Sequence, residues 1–367
     1  MTDAGQEQTD RERTDRERTG HERADREQTG RVQVIEVREF GPPEVLTPVS
    51  RPAPAAGPGQ VVIATTAADV LHIDTVIRSG RAAQWFDVRP PYVPGNGVAG
   101  TIAAAGPGVD PGLLGQRVVA HTGEAGGSGG YAEQALVAVD RIVPVPDEVS
   151  LADAVAVLND GATALGLMAG TGVRPGEWVL ILGAAGGLGL LLTQLARAAG
   201  GHVVAALRTS GPQGEDKAAR VRDAGAEAVA DYADPGWAAQ VTAATGGSGP
   251  AVVFDGVGGS LGVAAFAITA RGGRFSGHGA ASGGFAPVDR DDAARRGITV
   301  QGIEQVQFPA GVHEKLAGQA LGEVAAGRMR PVIGQSYPLD RAADAHRGLE
   351  GRSVIGKTLL TVDGAAA

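Results

Sequence analysis

The chain has 367 residues, 58 of them Gly and none Cys, with a net charge of −9 at pH 7. Without Cys there is no disulfide, no Cys-ligated zinc, no iron–sulfur cluster and no thiol nucleophile. The acidic balance and a set of only three Trp, four Tyr and seven Phe speak against a nucleic-acid partner, and no run of about 18 apolar residues suggests a membrane span.

Residues 1–30 stand apart. From Thr9 a five-residue unit repeats as TDRER, TDRER, TGHER and ADREQ, and the segment holds nine acids, six bases and only Met1, Ala4 and Ala24 as apolar side chains. So little apolar surface cannot offset the entropy of ordering, so a disordered charged tail is expected. It has no apolar core of the secretory type and too many acids for a transit peptide, which leaves a cytoplasmic location as the expectation.

Short strands joined by Gly/Pro turns follow. Alternation predicts strands over 31–38, 61–66, 98–105 and 116–121, and a strand pair within 137–145; TGEAGGSGG before Tyr131 reads as a mobile loop. The pattern then changes. A helix is predicted over 151–171, and apolar strands over 178–182 and 202–207 flank the turn Gly183-Ala-Ala-Gly-Gly-Leu-Gly189 and a helix over 190–199. Further helices (217–224, 261–269) alternate with strands (227–230, 251–255, 273–277), which predicts a parallel sheet with helices on both faces. A helix over 314–326 and a strand over 357–362 complete the first unit.

The Gly-rich turn lies between a buried strand and a helix, where backbone N–H groups and the helix dipole can hold a pyrophosphate. A side chain at Gly186 or Gly187 would block that approach. A tight packing turn is the alternative reading. The second strand ends Ala206-Leu207 and runs on as Arg208-Thr-Ser210, with no acid to meet a ribose 2′-hydroxyl; Arg208, Ser210 and Lys217 suit a 2′-phosphate, so NADPH is expected.

The chain resembles zinc-independent medium-chain dehydrogenases/reductases of the quinone oxidoreductase and enoyl reductase type. The residues that carry the likeness are Arg38–Val45, Asp74–Gly80, Tyr92–Gly100, Gly129–Glu133, Gly183–Gly189 and Leu349–Lys357. The resemblance implies an α/β chain: a GroES-like catalytic domain over 31–155, completed by 308–367, and a Rossmann NADPH-binding domain over 156–307. It implies that Gly186, Gly187 and Leu188 face the pyrophosphate, that Lys217 and Tyr232 border the adenosine end, and that Thr163, Val257, Gly277, His278 and Arg352 line the dinucleotide groove. Asp74 and Thr75 would flank the nicotinamide. Where zinc relatives have Gly-His-Glu this chain has Gly95-Asn96-Gly97, so no metal is expected to polarise a carbonyl. Hydride addition to an already conjugated acceptor, an α,β-unsaturated carbonyl or a quinone, is the expected reaction. A protein that binds NADPH with little turnover is the alternative from another class.

Departures from the family pattern fall on the substrate side, at Leu71, His72 and Val76 and in the loop with Trp85 and Phe86; Leu71, Trp85, Phe86 and Tyr92 are therefore the expected substrate wall. His72 is the first candidate for proton donor, with a structural histidine at a strand end as the alternative. Asp74 and Tyr131 complete the catalytic candidates, each with a structural alternative. Asp160 reads as a cap for the next turn. The segment 298–306 resembles the edge strand through which relatives pair, so a homodimer is expected.

Overall fold

The computed structural model describes residues 30–83, 85–122, 129–211, 213–309 and 311–362; the repeat tail and most of the TGEAGGSGG loop lie outside them. Strands β1 (Arg31–Val37) and β2 (Leu46–Pro52) form an antiparallel hairpin with Val34 opposite Val49. Two prolines hide β2 from sequence reading, yet an edge strand tolerates them because an edge amide need not be donated. Strand β3 (Gln60–Val70) runs directly into a short helix, α1 (His72–Arg78). The run Ile73, Thr75, Val76 and Ile77 favours strand by propensity. Burial of Ile77 and Arg78, and the Asp74 carboxylate accepting the Leu71 N–H at 2.8 Å, turn it helical instead. Next come β4 (Gly97–Ala105), β5 (Arg117–His121), β6 (Gln134–Ala138) and β7 (Ile142–Pro144). The two strands expected within 137–145 are not each other's partners: β6 pairs with β3 and β7 with β5, which wraps the sheet into a barrel.

Helix α2 (Leu151–Thr171) starts on Ser150, whose hydroxyl accepts the Asp153 N–H at 3.0 Å, and stops on Gly172 at φ +59°. It is long and apolar enough to cross a bilayer, but it is a core helix here. Its Ala154, Val157, Leu158 and Ala162 pack against Ala67, Ala99 and Val119 of the barrel and share one cluster with Val179 and Ile181 of the second sheet. Burying each Val, Leu or Ile contributes about 1.5–3 kcal/mol, so this helix is the main seam between the two halves.

The second half runs β8 (Trp178–Leu182), α3 (Gly187–Ala198), β9 (His202–Leu207), α4 (Gly214–Asp223), β10 (Ala228–Asp231), α5 (Trp237–Ala244), β11 (Val252–Asp255), α6 (Gly259–Ala267), β12 (Arg274–Gly277), α7 (Arg290–Arg296) and β13 (Thr299–Gln301). All its pairings are parallel, in the spatial order β10-β9-β8-β11-β12-β13. The order reverses between β8 and β11, and a doubly wound sheet opens its ligand crevice at that switch point. The edge strand is shorter than the 298–306 expected, because Gly302 ends it and Ile303–Val306 coils into a 3₁₀ turn.

The chain then returns to the barrel through α8 (Val312–Ala325), β14 (Ile333–Pro338), α9 (Ala342–Glu350) and β15 (Lys357–Thr361). Strand β15 lies antiparallel to β3, with Thr358 opposite Val70. Just before it, the Gly356 N–H bonds to Ala185 O at 2.8 Å, so the last segment is stitched to the Gly-rich turn of the second sheet.

Candidate active site

Each glycine of the turn after β8 has its own reason. Gly183 reverses the chain at φ +69°. A Cβ on Gly189 would stand 2.6 Å from Gly183 O, and one on Gly187 would strike the Asp160 carboxylate and the Lys357 stem. Gly186, the N-cap of α3, differs. A Cβ there would meet only Gly183 O, at an ordinary 3.4 Å. Its bareness clears the crevice rather than the packing. The N–H groups of Gly187, Leu188 and Gly189 open a helix and have no intrahelical acceptor, and the helix dipole adds positive potential there. This cradle fits a pyrophosphate.

The cradle is one end of a cleft of about 800 Å³ between the halves. The parallel sheet contributes Gly186, Gly187, Leu188, Arg208, Lys217, Tyr232, Val257 and His278; the barrel contributes Leu71, His72 and Arg81; the return segment contributes Glu350, Arg352 and Lys357. At the β9 end Lys217 Nζ donates to Arg352 O at 2.6 Å. Burial and the neighbouring Arg208 hold the Lys217 ammonium below its usual value. Arg352 is the non-glycine residue at positive φ, +54°, among the described residues, and the Lys217 bond holds that strained backbone. His278, almost buried with Ser276 Oγ 3.2 Å from its Nδ1, is pushed down to about 4 by desolvation and is neutral.

The cleft thus gathers Gly186, Gly187, Leu188, Arg208, Lys217, Tyr232, Val257, His278 and Arg352 from the expected cofactor set. Three expected members do not line it: Thr163 is half-buried on α2, Gly277 closes β12, and Ser210 is exposed beyond β9.

On the substrate side the picture departs further from expectation. Leu71 and His72 line the cleft; Asp74, Tyr131 and Tyr92 do not. Asp74 and Tyr131 are buried in the barrel, where the Tyr131 hydroxyl donates to Asp74 Oδ2 at 3.2 Å and lies 3.1 Å from His346 Nε2, and Asn96 Nδ2 donates to Asp74 Oδ1 at 3.1 Å. Burial, aided by the Asp69 charge, pushes the Asp74 carboxyl up to about 7. Burial and the Arg78 charge press His346 down to about 3. This network holds α1 and the barrel together behind the cleft. Trp85 is 55% exposed and Phe86 packs on the barrel core, so neither walls the cleft. His72 opens α1 and faces the cleft, but desolvation and the charges of Arg81 and Arg352 hold its imidazole below the usual value, so it is neutral near pH 7.

Sequence reading passed over the floor of the cleft. Asp160 does not cap a turn; it sits inside α2 and reaches Lys357 Nζ at 3.3 Å, while Asp69 Oδ2 lies 3.6 Å from the same nitrogen and accepts from Asn159 Nδ2 at 2.9 Å. Lys357 stands in the quoted Leu349–Lys357 motif, which was its one signal. The residues it meets are about 200 and 290 positions away, beyond the reach of any local pattern.

Two family profiles match the chain: an alcohol dehydrogenase GroES-like domain over residues 57–147 and a zinc-binding dehydrogenase over residues 224–360. The chain has no Cys, and among the described residues no group of three His, Asp or Glu side chains converges to hold an ion, so these residues do not fit a zinc site. A quinone oxidoreductase of Sus scrofa is 31% identical over 335 residues, covering 90% of this chain and 97% of the relative. A 2-haloacrylate reductase of Burkholderia sp is 30% identical, covering 83% and 91%. Among solved structures, a mycobacterial protein in complex with NADPH is 34% identical with a TM-score of 0.79, and the Escherichia coli quinone oxidoreductase in complex with NADPH is 27% identical with a TM-score of 0.80; both cover 90% of this chain and are themselves covered to 99%. With its GroES-like barrel, its doubly wound sheet and the cleft between them, the chain belongs to the quinone oxidoreductase type of the medium-chain dehydrogenases/reductases.

Proposed function

We propose that this protein is an NADPH-dependent reductase that delivers hydride, without a metal, to a conjugated small-molecule acceptor of the α,β-unsaturated carbonyl or enoyl class. One observation carries the reading: a single cleft joins the anion cradle at Gly186–Leu188 and the cations Arg208 and Lys217 to the apolar Leu71 at the barrel end. When bound, NADPH supplies the hydride. The chain's own part is to hold the pyrophosphate on the α3 amides, to meet a 2′-phosphate with Arg208 and Lys217, and to border the adenosine end with Tyr232. Val257, His278 and Arg352 line the groove in between. A conjugated acceptor delocalises the charge it receives, so a neutral His72 and an apolar Leu71 suffice to shape its pocket without a Lewis acid.

A quinone reductase proper is the second reading, supported by the names of the mammalian and bacterial relatives. Steady-state NADPH consumption over a panel of enones and quinones tests both. Faster turnover with enones supports the first, with quinones the second. No consumption with any acceptor would point to a binding protein instead.

We also assign the barrel to 31–155 with 308–367 and the NADPH-binding unit to 156–307, in a cytoplasmic homodimer paired through the β13 edge. That edge offers unpaired backbone groups beside the exposed Ile303. Light scattering on the eluting protein should give twice the chain mass, and Val300→Pro should give the chain mass.

A further inference from the structure

A conjugated acceptor that gains a hydride becomes an anion, and something must give it a proton. The groups lining the cleft can be taken in turn. His72 and His278 are neutral near pH 7. Glu350 is paired with the buried guanidinium of Arg78. Tyr232 and Lys217 stand at the β9 end, by Arg208 and Arg352. Lys357 remains.

Its placement is unusual for a lysine. Only 5% of its side chain is exposed, yet it lines the cleft. It is the first residue of β15, next to Thr358, which lies opposite Val70, the residue before Leu71. Its stem crosses Gly187, so it lies between the phosphate cradle and the barrel end of the cleft. The ammonium is held from below by Asp160 Oδ2 at 3.3 Å and Asp69 Oδ2 at 3.6 Å. An ammonium has three N–H donors, and both carboxylates meet it as ion pairs. Asp69 Oδ1, buried against Gly97, has no hydrogen-bond partner among the described residues, and burial raises the Asp69 pKa despite the nearby lysine. Burial works against its charge, but the carboxylates facing Lys357 from α2, β3 and α1 (Asp160, Asp69 and Asp74) outweigh that and hold its pKa above the usual lysine value.

We propose that Lys357 is the acid of the reaction, donating an N–H to the acceptor's carbonyl oxygen and then its proton to the enolate. Once the β-carbon has received its hydride, the alkene π pair moves to oxygen. A Lys357 N–H bond breaks as an α-carbon C–H bond forms, and the neutral amine regains a proton from water at the cleft mouth. Asp69 and Asp160 are positioning residues that hold the ammonium. This assignment rests on the reductase reading above.

The test uses 2-methyl-2-cyclohexen-1-one as acceptor, in D₂O, with the wild type, Lys357→Met and Lys357→Arg. Arginine keeps the charge but not a transferable proton, since its pKa exceeds about 12. NADPH affinity, read by nicotinamide fluorescence, should change less than about threefold in Lys357→Arg, while kcat falls about 10²-fold, the range of general acid catalysis. The wild-type product should carry its α-deuterium on one face, and both variants should scramble it. A structural role predicts the opposite: arginine rescues turnover and facial selectivity survives. A folded variant with kcat within threefold of wild type and one-face deuteration overturns the proposal, as does scrambled deuteration in the wild type itself, which needs no variant to fold. Absence of wild-type turnover with any acceptor overturns the reductase reading instead.

Discussion

The two ends of the cleft are built in opposite ways. The phosphate end is backbone: a turn of glycines, three helix-opening amides and two cations on the surface of one sheet, all within about 35 residues of sequence. The barrel end is side chain: Leu71, His72 and Arg81 from one region, Glu350 and Lys357 from another, with the Asp74–Tyr131–His346 network behind them. Backbone recognition depends on a local conformation, so one short motif can encode it. Side-chain chemistry depends on what the fold brings together, so it can differ between relatives while the first end stays the same.

The contrast can be broken most sharply at Gly186. A Cβ there meets no protein atom closer than 3.4 Å, so Gly186→Val should fold with nearly unchanged melting temperature. It should lose about 10³-fold in NADPH affinity by displacing two or more charge-assisted hydrogen bonds, together worth about 4 kcal/mol. Fluorescence titration beside a thermal melt reads both; a loss of stability that matches the loss of affinity would mean the glycine serves packing after all.

At the other end the largest effect lies behind the cleft. Asp74 has its carboxyl pushed up to about 7 in the fold against 3.8 for the free group. A raised carboxyl pKa means the protonated form fits best. Its contribution is complete below pH 4 and is lost as the pH climbs through 7. Asp74→Asn mimics the protonated form, so denaturant unfolding should show it matching the wild type at pH 4 and exceeding it at pH 8 by about 4 kcal/mol. Equal pH slopes in the two proteins would show that the network holds an ionised aspartate.

Smaller effects sharpen the comparison. Arg208→Ala should weaken NADPH about tenfold, the loss of one charge-assisted contact, and leave NADH unchanged; equal weakening of both would place Arg208 away from the 2′-phosphate. His72→Ala should change kcat less than about threefold, because its imidazole is already neutral near pH 7. A loss near 10²-fold, with intact NADPH binding, would return the acid role to His72.

The legibility of the sequence follows the same divide. Helix 151–171 and strands 178–182 and 202–207 were readable to the residue, because buried apolar runs bounded by Ser, Pro and Gly leave little choice. The Gly-rich turn and the placing of Arg208 and Lys217 near it were readable for the same local reason. Helix α1 was not, since its β-branched residues point to strand and only the Asp74 cap and burial of Arg78 decide otherwise. Nor could periodicity tell that Tyr131 and Asp74 turn inward to each other, that Trp85 stands in solvent, or that Asp160 meets a lysine almost two hundred residues later. Those facts are set by the barrel closing on itself and by β15 returning to β3, which are long-range events.

The central claim is that hydride passes from NADPH to carbon of a conjugated acceptor inside this cleft. Its most direct measurement is a single turnover with NADPH deuterated at the transferable C4 position and an excess of enone, with the product analysed by mass spectrometry. The account predicts one deuterium on the β-carbon for each NADPH consumed, and the same stoichiometry is not reached with NADH at equal concentration. NADPH consumed with no deuterium in the product, or no consumption by a folded protein that binds NADPH, would contradict it.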